Sequence, residues 1–412
     1  MFNRARTLID AFYLHLPRYN YINNLRLDAE GRLREAYSKL DATEAELQFA
    51  RAANVARRAK HAPSQSMVQH RSFEDIEVNS AIVSDAPFPS TDLVTRIRQA
   101  YLKSYQIDLG PTDNQWLGTI SDQKRSFHEI LLSGREDEIL YLLRDPTGTS
   151  LFYGFDSISS LDPDLKSATV QDWRAKWTYD NLLRLAEAMG IIRLENPEAP
   201  HTRSIPALEE ILVKLDDALG FRVSFPNPFV NEPGLKTSRG VATYRATQAL
   251  YQAWKISRLA PEGAKVAEIG AGTGRTAFYT RQMGIKDYTI IDLPMTNIAQ
   301  AYFLGASLGV ESIGLHGETA SSSQIKLLTP FDFDNTGSFD LIVNIDSMTE
   351  MSKSTAVEYF RAIKNKTSTL LSINHEVNGF TVREIAGELG INAISREAHW
   401  MRRGYTEEIY KF

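Results

Sequence analysis

The chain has 412 residues, 43% hydrophobic and 24% charged, with a formal net charge of -5 and no cysteine. Such a length buries a substantial core and is expected to divide into two or three domains, and this composition excludes a long disordered chain. The acidic balance excludes a generally basic nucleic-acid binder, and the lack of cysteine excludes disulfides, thiolate nucleophiles and cysteine-ligated zinc or iron–sulfur centres.

In chain order, the first segment, "MFNRARTLIDAFYLHLPRYNYI", places Phe2, Leu8, Ile9, Phe12, Tyr13 and Leu16 at helical spacing. It carries charges throughout and no small-residue cleavage site, and no apolar run in the chain approaches the ~20 residues of a membrane span. The expectation is a cytoplasmic protein without a membrane span. Attachment of this helix at the inner membrane face stays open. Residues 28–62 read as one long helix ending before Pro63, with Leu33, Leu40 and Leu47 in heptad spacing and Ala36, Thr43 and Ala50 between them. That seam suits packing against the body or against a sister chain in a homo-oligomer.

After a polar connection over 63–87, helical patterns follow at 91–105, 122–145 and 178–190. The predicted organisation is a helical arm over 1–62, a mainly helical domain over 63–235, and a third domain over 236–412. A turn-rich stretch, "FPNPFVNEPGLKTSRG", and a helix, "VATYRATQALYQAWKISRLA", lead into that last domain. There strands are predicted at 266–269, 288–292, 312–316, 339–345, 369–374, 392–395 and 405–412. Helices of crossover length separate the first six, so an α/β fold with a mostly parallel sheet covered on both faces is expected, closed by an antiparallel hairpin.

The strand at 266–269 runs into "EIGAGTGR", whose glycines Gly270, Gly272 and Gly274 open a helix. Backbone N–H groups at a helix start can face a ligand when no side chain intervenes. A dinucleotide turn needs a further glycine where this chain has Arg275, and Glu268 would repel a pyrophosphate. The same acid suits a ligand carrying an amino group and a sulfonium, and Asp292, ending the second strand, suits the two hydroxyls of a ribose.

With "EIGAGTG" and "IIDLP", the sequence resembles class I S-adenosylmethionine-dependent methyltransferases, whose Rossmann-like domain has seven strands, the last antiparallel. "EIGAGTGRTAFY", "YTIIDLPMTNIAQAYFLG", "FDLIVNIDSMTEM", "LLSINHE" and "WMRRGYTEEIYKF" are similar to the sugar O-methyltransferases of bacterial surface-polysaccharide and glycan clusters. The resemblance covers roughly 240–412, with looser likeness at "FYGFD". It implies S-adenosylmethionine as cofactor and a sugar hydroxyl, on a nucleotide sugar or a glycan end, as methyl acceptor. A non-sugar small molecule or a protein as acceptor, and a non-catalytic scaffold with a helical arm, are the alternatives.

Ligands of open parallel sheets lie beyond the carboxyl ends of the strands. The cofactor-binding candidates are therefore Glu268, Gly270, Gly272, Gly274, Asp292, Leu293, Gly317, Glu318 and Asn344, with Glu318 suited to an adenine amino group. For the base that removes the hydroxyl proton the candidates are His375, then Asp346, then Glu350, because a histidine needs the smallest pKa adjustment near neutrality. Arg245, Trp400, Arg402 and Arg403 are the acceptor-binding candidates: an aromatic face with guanidinium groups fits a sugar ring and its phosphate or carboxylate. Asp346 also reads as a helix N-cap. These candidates include no adjacent acidic pair, and the chain has no His-x-x-x-His spacing, so no metal is expected.

Overall fold

The computed structural model describes residues 76–105, 124–152, 167–193 and 206–412, together with a few single positions between 25 and 39. The two N-terminal helices expected from the sequence, with their heptad seam, and the "FYGFD" likeness lie outside the described residues, apart from those single positions and Phe152. The chain divides into one unit of 1–72 with 196–203, and a second of 73–195 with 204–412. The second unit is described below.

Its centre is an eight-stranded sheet. The strands are β4 (Lys265–Ile269), β5 (Asp287–Ile291), β6 (Ile313–Leu315), β7 (Ile325–Leu328), β8 (Leu341–Ile345), β9 (Thr369–His375), β10 (Ala393–Ala398) and β11 (Tyr405–Lys411), in the spatial order β10-β11-β9-β8-β4-β5-β7-β6. All neighbours pair in parallel except β11, which runs antiparallel to both β9 and β10. This is the Rossmann-like, mostly parallel architecture expected, with eight strands instead of seven. The middle strands "LIVNI" and "TLLSIN" are buried at every residue, as they must be when helices cover both faces.

One face is covered by α9 (Pro330–Asn335), α10 (Lys353–Lys366) and α11 (Val382–Glu388), whose Phe333, Phe360, Ile363 and Ile385 share a core with Ile342 and Tyr410 of the sheet. The other is covered by α6 (Tyr244–Leu259), α7 (Arg275–Gln282) and α8 (Pro294–Leu308), and its core continues without a break into helices from the first half of the unit. Those are α1 (Thr91–Ser104), α2 (Arg125–Ser133), α3 (Glu136–Arg144), α4 (Ala168–Ala188) and α5 (Leu208–Leu219). Helix α8 is apolar around most of its circumference because α1 covers the side turned away from the sheet. Gly305 permits that approach: a Cβ there would come within 2.7 Å of the Leu93 side chain. Among the described residues no helix is long and apolar enough to cross a membrane.

A small antiparallel sheet, β1 (Ser80–Ile82), β2 (Pro233–Thr237) and β3 (Gly240–Ala242), occupies much of the stretch predicted as a turn-rich lead-in. Thr243 then caps α6, its hydroxyl accepting from the Ala246 N–H at 3.1 Å. The pattern at 122–145 is two helices, broken at Gly134 with φ 76°.

The expected third strand requires a correction. Residues 313–315 form a strand, but at the outer edge of the sheet. The place beside β5 belongs to β7, a four-residue strand hidden by the polar run before it and by Lys326 within it. That lysine reaches Asp287 at 2.7 Å, which lets a charged residue sit in an inner strand.

Arg275, where a dinucleotide turn would have glycine, forms an ion pair with Glu232 just before β2. The two side chains are 6% and 0% exposed. Its guanidinium also lies 4.9 Å from the Phe303 ring centroid. Removing one partner of a buried ion pair costs about 3–5 kcal/mol. Glu232→Ala should lose stability on that scale in denaturant unfolding, and a loss below about 1 kcal/mol would show that the pair does not fasten the small sheet to α7.

Candidate functional site

A cleft of about 1340 Å³, open solvent at its mouth included, lies at the carboxyl ends of β4, β5 and β8. The sequence-predicted residues Glu268, Gly270, Gly272, Asp292, Leu293, Asp346, Glu350 and Arg245 all line it. Gly274 starts α7 from a left-handed φ of 86°. A Cβ there would approach Leu304, so this glycine serves helix packing instead of lining the cleft.

Gly270 is required by a crossing. Its φ is 74°, and a Cβ would fall 2.2 Å from the Ser347 hydroxyl. Ser347 Oγ donates to the Ile269 carbonyl at 2.9 Å and accepts from Asn344 Nδ2 at 2.7 Å. Asn344, expected at the cofactor, is 0% exposed and does not line the cleft. Its amide joins β4 to the loop after β8, and its Oδ1 accepts from Asn374 Nδ2.

Gly317 and Glu318 stand apart from the cleft, for the reason given by the strand order: they follow the edge strand β6. Glu318 pairs with Arg96 at 2.7 Å, which holds its carboxyl below the ordinary range. A Cβ on Gly317 would meet Lys103. The segment that reaches the cleft on that side follows β7, through Pro330 at the start of α9.

The two acids beside the glycine turn are both raised by burial and differ in the donors that oppose it. Glu268 is 1% exposed and among the described residues receives one hydrogen bond, from the Tyr288 hydroxyl at 2.8 Å. Burial pushes its carboxyl up to about 8, with the charge of Asp292 adding to the shift and the Tyr288 bond opposing it. Asp292 accepts from Ala271 N–H (2.9 Å), Leu293 N–H (2.8 Å) and the Gln300 amide (2.7 Å). Burial raises it too, but those donors hold it to about 6. Lys124, fully buried, adds its charge near Asp292 and is itself pushed down by burial to about 7. Nothing in the sequence pattern connected this lysine with the site.

Beyond β8, Asp346 adopts φ 62°, in the left-handed region that aspartate tolerates better than most residues. It is not a helix cap. Its Oδ2 accepts from Arg245 Nη1 at 3.3 Å and from Arg402 Nη1, while Oδ1 is buried with no hydrogen-bond partner among the described residues. Arg402 does not line the cleft itself but lies 3.4 Å from the centroid of the Tyr405 ring, which does. Of the other predicted acceptor residues, Arg403 is exposed, and Trp400 stands edge-on to Tyr251 at 5.1 Å with 40% exposure; neither lines the cleft.

His375 ends β9 and touches two cleft-lining residues without lining the cleft itself: Nε2 is 3.4 Å from Glu350 Oε1, and the ring stands edge-on to Tyr405 at 5.6 Å. A proton on Nε2, given to Glu350, leaves Nδ1 as a bare acceptor, and that atom is buried without a hydrogen-bond partner among the described residues. His399 has a structural post. Its Nδ1 accepts from the Met401 and Arg402 N–H groups at 3.2 Å, and burial pushes it down to about 4. Among the described residues no group of three or more His, Asp or Glu side chains converges as metal ligands would.

No protein-family model matches the chain, and no curated protein sequence does. Solved structures similar to it include a ribosomal protein L11 methylase from Lactobacillus delbrueckii subsp. bulgaricus (15% identity, TM-score 0.31, covering 40% of this chain and 79% of that one). Others are the CcbJ methyltransferase from Streptomyces caelestis (12%, 0.30, 40% and 89%) and a magnesium protoporphyrin IX methyltransferase from Synechocystis with bound SAM (12%, 0.30, 59% and 93%). Likenesses at this level decide nothing about ligand or reaction, which the cleft's own residues must carry.

Glu268 gives a pH test that needs no ligand. With a carboxyl raised from 4.5 to about 8, the folded state keeps a proton that the unfolded chain has released, so stability is lost as pH rises through that window. Glu268→Gln keeps the shape without the titration. Its melting temperature should gain on the wild type between about pH 4.5 and pH 8 and the gap should level off above. A gap that does not change with pH would contradict the buried, proton-holding carboxyl.

Proposed function

We propose that the cleft binds S-adenosylmethionine and that the protein transfers its methyl group to a sugar hydroxyl, on a nucleotide sugar or a glycan. The observation that carries the first half is the pairing of a buried acid, Glu268, with a glycine turn whose further glycine position is taken by the ion-paired Arg275. A pyrophosphate would meet a carboxyl there, whereas the ammonium of an amino-acid moiety would find its partner. The ribose hydroxyls fall to Asp292, which the Ala271, Leu293 and Gln300 donors keep oriented.

When bound, S-adenosylmethionine supplies an electrophilic methyl on a sulfonium. The chain's part is to align an acceptor oxygen, exclude water and take one proton. Alignment contributes several kcal/mol or more, and a positioned base about 10²–10⁴-fold. Glu350 faces the cleft and His375 partners it, so the acceptor's hydroxyl proton passes to this pair. Asp346, engaged through Oδ2 by two guanidinium groups, holds Arg245 and Arg402 toward an anionic or hydroxyl-rich acceptor. The sugar rests on the sequence resemblance, together with this mixed guanidinium and aromatic wall.

Labelled methyl from S-adenosylmethionine, offered with a panel of nucleotide sugars and isolated bacterial surface glycans, should enter one of the two. His375→Ala should lower that turnover at least ~10²-fold with S-adenosylhomocysteine affinity nearly unchanged. Label appearing only in proteins or in non-sugar small molecules would remove the sugar, and full activity in the variant would remove the Glu350–His375 pair.

A further inference from the structure

The turn between β10 and β11 carries Arg402 to Asp346, and one buried ring holds that turn in shape. His399 is 6% exposed, and its Nδ1 accepts from the N–H groups two and three residues further on, those of Met401 and Arg402, both at 3.2 Å. An asparagine or aspartate oxygen usually closes a turn in this way. A ring nitrogen does so only while it carries no proton, because a protonated Nδ1 is a donor.

The surroundings keep that nitrogen bare. The ring stands edge-on to Tyr251 of α6 at 5.3 Å and lies within 8° of parallel to Trp400, centroids 6.3 Å apart. Burial pushes the imidazole down to about 4; Glu407 and Asp346 oppose the shift, and Arg402 and Lys255 add to it. Tyr251 and Lys255, both on α6, reach Glu407 of β11 at 2.6 and 2.7 Å, so the groups facing the ring are tied to one another.

What hangs on the turn is the wall of the cleft. The Arg402 N–H is held by His399, the Arg402 carbonyl accepts from the Tyr405 N–H at 3.3 Å, and the His399 N–H donates to the Tyr405 carbonyl at 2.9 Å. From this fixed backbone the guanidinium reaches Asp346 Oδ2 and lies 3.4 Å from the Tyr405 ring centroid. Asp346 and Tyr405 both line the cleft. A slack turn would return to the long arginine side chain the rotamer freedom that these contacts remove.

We propose that His399 is a positioning residue for the acceptor side of the cleft: its bare Nδ1 fixes the backbone of Met401 and Arg402, and through Arg402 it sets Asp346 and the Tyr405 ring. It acts at one remove, through the turn, and not on the reacting atoms. The effect on turnover rests on the methyl-transfer reading above, whereas the effect on the turn does not.

Limited trypsin digestion of the full chain, mapped by mass spectrometry, reads the turn itself, since a cut after Arg402 or Arg403 needs the backbone there to open. His399→Ala should be cut at these two sites about 10-fold faster than the wild type, as the loss of two hydrogen bonds implies. His399→Asn, whose Oδ1 can take both N–H groups, should stay within about 2-fold of the wild type. In labelled methyl transfer to nucleotide sugars and surface glycans, His399→Ala should raise the acceptor KM about 10-fold with S-adenosylhomocysteine affinity nearly unchanged, and His399→Asn should restore it. Adding His399→Ala to Arg402→Ala should cost nothing more. Nitrogen-15 spectra of the wild-type histidines should show this ring as the Nε2–H tautomer throughout about pH 5 to 8. Faster cutting spread evenly over the chain, equal losses in the alanine and asparagine variants, or full additivity with Arg402→Ala would overturn the proposal. So would a His399 ring that titrates in that pH range, even if the alanine variant fails to fold. Label in no sugar would remove the sugar acceptor, and the digestion and the spectra would still decide the turn.

Discussion

The crossing of Ser347 over Gly270 is the constraint on which the cleft depends. The end of the central strand β4 must pass under the loop leaving β8 with no room for a Cβ, and Asn344, Ser347 and the Ile269 carbonyl fasten the two ends together. Directly before the crossing the backbone enters the left-handed region at Asp346, which turns that carboxylate toward Arg245 of α6 and Arg402 of the β10–β11 turn. A single close approach thus sets the floor of the cleft on one side and draws two distant cations to it on the other.

Electrostatics then divides the cleft. At the β4 end, Glu268 holds a proton because burial outweighs the Tyr288 hydrogen bond, and a cation placed beside it would favour its ionised form. At the β5 end, Asp292 has enough donors to stay nearer the ordinary carboxylate range. Toward Asp346, two guanidinium groups face one carboxylate. A ligand with an ammonium at one point and a ribose at another meets each demand, whereas a dinucleotide phosphate would meet the wrong charge and an arginine already committed to Glu232.

Most of the sheet was legible because burial on both faces leaves mostly apolar runs such as "LIVNI" and "TLLSIN", and because glycine or proline marks the ends of β4 and β5. The turn residues Glu268, Gly270, Gly272 and Asp292 were legible for the same local reason. β7 was not: four residues with a lysine among them look like loop until Asp287 is seen to neutralise Lys326. That one missed strand displaced Gly317 and Glu318 from the cleft to the sheet edge. The pairs Arg402–Asp346 and His375–Glu350 and the approach of Lys124 to Asp292 join residues far apart in the chain or depend on which way a side chain turns. Periodicity carries no signal for either.

The most direct measurement is calorimetric titration of the protein with S-adenosylhomocysteine and with NAD, each at pH 7 in two buffers of different ionisation enthalpy. Micromolar binding of S-adenosylhomocysteine alone, with a fraction of a proton released as the ligand's ammonium drives Glu268 to its ionised form, is the predicted result. Tighter binding of NAD, or S-adenosylhomocysteine binding with no buffer dependence, would contradict the assignment of that buried acid to a cationic ligand.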